Sequence, residues 1–89
     1  MKVKIELFGA ARDFSEQNLL ELDLEQKSTI KHVRKKIIQH LDEKFNGNEN
    51  YKKIVNSSAF CSEKNNIVSD NYKITNNEKI SIIPPIGGG

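Results

Sequence analysis

The sequence predicts an α+β fold: a mixed β-sheet packed on one main helix, followed by a short C-terminal tail. Three observations predict it. Apolar and polar residues alternate with period two at both ends of the chain, the pattern of strands with one buried face. Between them the apolar period changes to three or four, the pattern of a helix with one buried stripe. The third is the placement of glycine and proline. Five of the seven fall in the last six residues, Pro84-Pro85-Ile86-Gly87-Gly88-Gly89, while the first 83 residues hold only Gly9 and Gly47. The chain therefore divides into a body, residues 1–83, and an extended tail, residues 84–89.

In chain order, Val3, Ile5 and Leu7 alternate with Lys2, Lys4 and Glu6 and predict a first strand. Leu20, Leu22 and Leu24 alternate with Glu21, Asp23 and Glu25 and predict a second. The polar residues 9–18 between them read as a connection of hairpin type, making the two strands adjacent and antiparallel. Ile30, Val33, Ile37, Leu41 and Phe45 then form a helical stripe over residues 29–45. Ser28 or Thr29 is placed to cap its start, and Asn46-Gly47 supplies a left-handed stop. Residues 47–57 carry several asparagines and read as loop, with a short helical turn at 51–55. Ala59-Phe60-Cys61 suits a third strand and Ile67-Val68 a brief edge strand. After a turn at Thr75-Asn76-Asn77, residues 79–83 form the last strand, which must end at or before Pro84 because proline cannot donate a ladder hydrogen bond.

One helix of this length covers about one small sheet. A right-handed crossover through it places the first and last strands side by side. This is the β-grasp arrangement, with the last strand in the middle of the sheet.

Composition excludes several functions. Of 89 residues, 36% are hydrophobic and 29% charged, as in a globular domain. The single cysteine, Cys61, rules out a disulfide within the chain and fits a reducing, cytoplasmic setting. The charged alternation at the N-terminus is unlike a signal peptide, and no apolar run approaches the roughly 20 residues needed to span a bilayer, so no membrane association is expected. A net charge of +2 gives little support to nucleic-acid binding. Lys27, Lys31, Arg34, Lys35 and Lys36 do form a positive stretch without an acid, but no aromatic residue interleaves with them as a stacking platform requires. The reading of this stretch is a solvated helix face. The early lysines face the positive end of the helix macrodipole, an unfavourable position.

Two apolar residues fall out of phase. Phe8 breaks the alternation of the first strand, and Ile83 sits opposite in parity to Ile80 and Ile82. Either they tuck into the rim of the core, or they form an apolar cluster on the sheet face the helix leaves open, which marks a partner surface. In the tail, Pro84-Pro85 stiffens the exit, and Gly87, Gly88 and Gly89 let a backbone pass through a narrow channel. The functional reading is a tail whose terminal carboxylate reacts; the alternative is a frayed end. His32 and His40, eight residues apart on the helix, have no further ligand cluster. Cys61 reads as an inert small strand residue. No Ser/His/Asp set or phosphate-cradling glycine loop is present, so catalysis by this chain alone is not expected.

Three segments resemble the small subunit of molybdopterin synthase, one of the ubiquitin-like sulfur carriers. Leu7-Phe8-Gly9-Ala10-Ala11-Arg12-Asp13 resembles that family's apolar-Phe-Ala/Gly-x-x-Arg-Glu/Asp segment. Residues 67–78 resemble its short edge strand, loop and acidic turn. Ile82-Ile83-Pro84-Pro85-Ile86-Gly87-Gly88-Gly89 resembles its apolar-apolar-Pro-Pro-Val-x-Gly-Gly ending, the most specific of the three. Two stretches depart from the pattern: Ala59-Phe60-Cys61 replaces a Val-Asn-containing strand, and Asn76-Asn77-Glu78-Lys79 stands for Asp-Gly-Asp-Glu. Asparagine tolerates positive φ, so that turn is expected to survive.

The resemblance implies a chemistry for the tail. An E1-like adenylating enzyme, using ATP and magnesium, activates Gly89 as an acyl-adenylate. A sulfur donor, a sulfurtransferase, displaces AMP and leaves a thiocarboxylate. The tail, Pro84 to Gly89, then threads into the large subunit of molybdopterin synthase and gives its sulfur to the pterin precursor. This chain binds no cofactor itself and is the non-catalytic, sulfur-donating subunit of the complex. Carried over by position, Phe8, Arg12, Ile67 and Ile83 fall on the partner-facing surface. The alternatives are a sulfur carrier for thiamine or tRNA thiolation, a ubiquitin-like modifier conjugated through Gly89, and an interaction domain without terminal chemistry.

Overall fold

The computed structural model describes residues 1–85, and in it alternation and helical periodicity are resolved into strands and helices close to where the sequence puts them. The strands are β1 (Lys2–Leu7), β2 (Leu19–Asp23), β3 (Ala59–Cys61), β4 (Ile67–Val68) and β5 (Lys79–Ile83); the helices are α1 (Ile30–Phe45) and α2 (Glu49–Ser57). The sheet order is β2-β1-β5-β3-β4. β1 pairs antiparallel with β2, Val3 opposite Leu22, and parallel with β5, Leu7 opposite Ile82. β3 is antiparallel to both neighbours, with Phe60 opposite Ile82 on β5 and Val68 on β4. The last strand is central and beside the first, as the β-grasp reading requires.

Val3, Ile5, Leu7, Phe60, Ile80 and Ile82 face the α1 stripe of Ile30, Val33, Ile37 and Leu41, and all are buried in one core. α1 begins at Thr29, whose N–H donates to the ring Nδ1 of His32 at 2.9 Å. It stops at Asn46, φ 55°, followed by Gly47, φ 73°, the left-handed exit that this pair favours. His32 therefore has a structural role in capping.

Two segments differ from the sequence reading. Residues 9–18 contain a 3₁₀-helix, Gly9–Phe14, that buries Ala11 and Phe14. Residues three apart eclipse in a 3₁₀ turn, so this short segment puts both on one side. Residues 47–57 are not loop: α2 fills most of the span, capped by the Asn48 side chain, which accepts from Tyr51 N–H at 3.1 Å. Val55 is fully buried, and Tyr51 packs on Phe14 and Phe45 with ring centroids 5.3 and 5.1 Å apart. These aromatics form a second small layer that fixes α2 and the 3₁₀-helix to the body.

Arg34 also departs from its sequence reading. It is not a solvated member of the basic stretch. Its Nε donates to Asp70 at 3.0 Å, a terminal nitrogen donates to the Val55 carbonyl at 2.6 Å, and the guanidinium lies 4.7 Å from the centroid of the Phe60 ring. One side chain thus ties α1 to α2, to β3 and to the loop after β4.

Candidate functional site

The face of the sheet away from α1 is set by parity. β1 presents Lys2, Lys4 and Glu6 there, and Phe8 continues the series; β5 presents Lys79, Ser81 and Ile83. Ala59 and Cys61 of β3 lie opposite Ile83 and Ser81, and Ile67 of β4 lies opposite Cys61. The face therefore has two ends. One carries charge, including the Lys2–Glu21 and Lys79–Glu6 pairs at 3.2 and 3.1 Å. The other is apolar and lies at the C-terminal end of β5.

Phe8, Ile67 and Ile83 are the large hydrophobics exposed among the described residues, at 36, 76 and 40%. Of the two readings of Phe8 and Ile83, the rim of the core is excluded, and the apolar surface cluster stands. Cys61 is buried but belongs to this side of the sheet rather than to the core layer, because it pairs with Ser81 and Ile67 while Phe60 points inward. The sequence contained that signal in the parity of Phe60 and Cys61. Arg12 is exposed on the 3₁₀-helix that follows Phe8, while its neighbours Ala11 and Phe14 point inward.

The tail leaves from this apolar end. β5 ends at Ile83, Pro84 is buried and Pro85 is exposed. A Cβ at Gly9, φ 54°, would stand 3.9 Å from the Pro84 ring, so Pro84 rests on the turn into the 3₁₀-helix. The first tail residue is thereby held against the body. Ile86, Gly87, Gly88 and Gly89 lie outside the described residues.

The start of β5 is anchored by Glu78, buried at the turn before the strand. Its carboxylate accepts from the Tyr72 hydroxyl at 2.7 Å, Thr75 N–H at 3.0 Å, the Thr75 hydroxyl at 3.1 Å and Glu63 N–H at 3.3 Å. Burial pushes the carboxyl up, but the hydrogen bonds from Thr75, Tyr72 and Glu63 outweigh it and hold the group below its ordinary value. The hydrogen bond to Glu78, helped by burial and by the nearby negative charge, pushes the Tyr72 phenol up to about 12. Asn77 takes φ 63°, so the turn keeps its left-handed residue without glycine.

Among the described residues no group of three or more His, Cys, Asp or Glu side chains is placed to hold a metal ion. Among the described residues no helix is long and apolar enough to cross a membrane.

The strand order, with the last strand central and one main helix in the clasp of the sheet, makes this a ubiquitin-like β-grasp protein. The ThiS family profile matches residues 5–89, and the chain belongs to that family of ubiquitin-like sulfur carriers. No curated protein matches the chain. Several solved structures share the fold. A putative molybdopterin converting factor subunit 1 from Pyrococcus furiosus superposes with a TM-score of 0.71 at 19% identity, covering 96% of this chain and 98% of that one. SAMP1 from Haloferax volcanii gives 0.70 at 10% identity over the whole of both chains. A chain from the complex of subunits 1 and 2 of molybdopterin-converting factor from Helicobacter pylori gives 0.58 at 19% identity, again over both chains in full.

Proposed function

We propose that this chain is the sulfur-carrier small subunit of molybdopterin synthase, with the carboxylate of Gly89 as its reactive group. The observation that carries the proposal is the convergence of the apolar end of the open sheet face with the root of the tail. Phe8 and Ile83 are exposed beside Pro84, where the exit starts, and Ile67 extends the apolar surface on the edge strand two strands away. A partner that docks on this surface receives the tail directly. The fold likeness to subunit 1 of molybdopterin-converting factors, one of them solved in complex with subunit 2, supports the pathway.

A carboxylate is a poor electrophile, so the Gly89 carboxylate oxygen attacks the α-phosphorus of ATP on an E1-like enzyme. Pyrophosphate leaves and an acyl-adenylate forms, with magnesium neutralising the phosphates. A persulfide or sulfide sulfur from a sulfurtransferase adds to the acyl carbon, AMP leaves with the bonding pair, and a thiocarboxylate remains once any acyl disulfide has been reduced by a thiol. Gly87 and Gly88 present no side chain to the channel, and Pro84-Pro85 limits the directions the tail explores. In this reading Arg12, exposed on the 3₁₀-helix after Phe8, meets a partner carboxylate at the edge of the docking surface.

The test is reconstitution. Thiocarboxylated chain, mixed with the large synthase subunit and pterin precursor, is expected to yield molybdopterin, and chain lacking Gly89 to yield none. Product formed equally by both would refute the proposal. The likeness to small archaeal modifier protein 1 favours a second reading, a modifier conjugated through Gly89. Higher-mass conjugates in cell extract, with no molybdopterin from the reconstituted mixture, would decide for it. Family membership also keeps thiamine and tRNA thiolation as alternative destinations for the sulfur.

A further inference from the structure

The loop after β2 and the first half of α1 enclose an open cleft of about 570 Å³, lined in part by Lys27, Lys35, Lys36 and His32. Lys31 is exposed on the adjoining turn of the helix. None of Lys27, Lys31, Lys35 and Lys36 forms an ion pair among the described residues, whereas Lys2, Arg34, Lys52 and Lys79 all do. Asp23 and Glu25 also line the cleft, but the Asp23 carboxylate faces the Met1 ammonium at 3.6 Å. The first turn of α1 contains no acid, so Lys31 adds to the positive end of the helix without internal compensation. Lysines four apart on a helix repel one another. With Arg34 drawn inward, four lysines outside any ion pair remain on this surface against the carboxylates of Asp23 and Glu25, a local excess of positive charge.

We propose that this cleft is a second docking surface, which receives an acidic segment of a partner protein. Charge complementarity selects the occupant. A nucleic acid fits less well, because no Phe or Tyr lines the cleft to stack a base. The location is separate from the tail. Asp23 pairs with Lys2 at the start of β1, whereas Ile82, next to the tail root, pairs with Leu7 at its end. A partner on the open face and tail leaves the cleft free, so two proteins can hold the carrier at once. That suits a protein passed between an activating enzyme and an acceptor.

The test uses the full chain, labelled with ¹⁵N and titrated with an octaglutamate peptide at about 50 and about 200 mM salt, with octathymidylate in parallel. Peptide-induced shifts are expected to cluster at Lys27, Lys31, Lys35 and Lys36, with affinity about tenfold weaker at the higher salt. The triple variant Lys31→Glu, Lys35→Glu, Lys36→Glu is expected to lose at least about tenfold in affinity while its Tm changes little, since all three side chains are exposed. Lys64→Glu, on the turn between β3 and β4, is expected to leave the affinity unchanged. Shifts spread over all the lysines, equal binding by the triple variant, or tighter binding of octathymidylate at the same residues would each overturn the proposal.

Discussion

Replacing Glu78 with glutamine keeps the shape of the side chain and removes its charge, which isolates what the carboxylate does at the root of β5. In the native protein both oxygens only accept, and they meet the Tyr72 hydroxyl, the Thr75 N–H and hydroxyl, and the Glu63 N–H. In Glu78→Gln the amide oxygen can keep the Thr75 pair. The amide nitrogen then faces Tyr72 and Glu63. The phenol can rotate to accept, but the Glu63 N–H loses its acceptor and meets a donor. An unsatisfied donor costs about 1–3 kcal/mol and the loss of charge assistance adds to it; because Glu63 is partly solvated, the expected cost is about 2 kcal/mol at neutral pH. With an m-value of about 1 kcal/mol/M for a chain this short, the urea midpoint should fall by about 2 M.

The same substitution predicts a pH dependence. The folded-state pKa of Glu78 lies below the ordinary carboxylate value, so its contribution is full above the unfolded pKa, about 4.3, and is lost as pH falls through the folded value. The gap between native protein and variant should therefore narrow on acidification. Tyr72 gives the opposite limb. Its pKa is raised to about 12, so the contribution of the neutral phenol is full below about pH 10 and disappears as pH rises through the folded value. In the variant, without the carboxylate that raises the phenol, this alkaline loss should be smaller and complete at a lower pH. Urea melts across pH decide the matter. A cost below about 0.5 kcal/mol at neutral pH, or a gap unchanged by acid, would refute the reasoning.

Other substitutions test other parts of the account. Arg34→Lys keeps the charge but cannot reach Asp70, the Val55 carbonyl and the Phe60 ring together, and a chemical melt should show a loss of about 1–3 kcal/mol. Lys27 holds φ 66°, so Lys27→Gly should raise stability by about 0.5–1 kcal/mol, the strain relieved less the backbone entropy of glycine. Ile67→Asp, at a side chain 76% exposed, should change the melt by no more than about 0.5 kcal/mol yet abolish co-purification with the large synthase subunit.

The sequence makes the frame of this protein easy to read because most of its frame elements carry their own periodicity. Val3, Ile5 and Leu7 cannot all be buried except as a strand, and Ile30, Val33, Ile37 and Leu41 cannot share a face except as a helix. Phe8 and Ile83 were half legible: parity marked them as out of phase, and only their exposure in the fold decides between the rim of the core and the open face. The 3₁₀-helix was hidden because six residues with two buried positions give too little periodicity, and Phe14 lies in a polar setting. α2 was hidden by its asparagines, although Asn48 as cap with Tyr51, Ile54 and Val55 at helical spacing was the available signal. The contacts of Arg34 and Glu78 were not legible, and Arg34 read as solvated. Each acts through partners distant in sequence, Asp70 and Phe60 for one and Glu63 for the other, and nothing local announces such a contact.

The central claim is that the tail reacts and the body is read by partners, and the mass of the chain tests it most directly. After incubation with an E1-like adenylating enzyme, ATP, magnesium and a sulfur donor, intact-mass analysis should show one oxygen exchanged for sulfur. Fragmentation should place the exchange on Gly89, and omission of ATP should abolish it. An unmodified mass under these conditions, or sulfur found on Cys61 instead, would contradict the account.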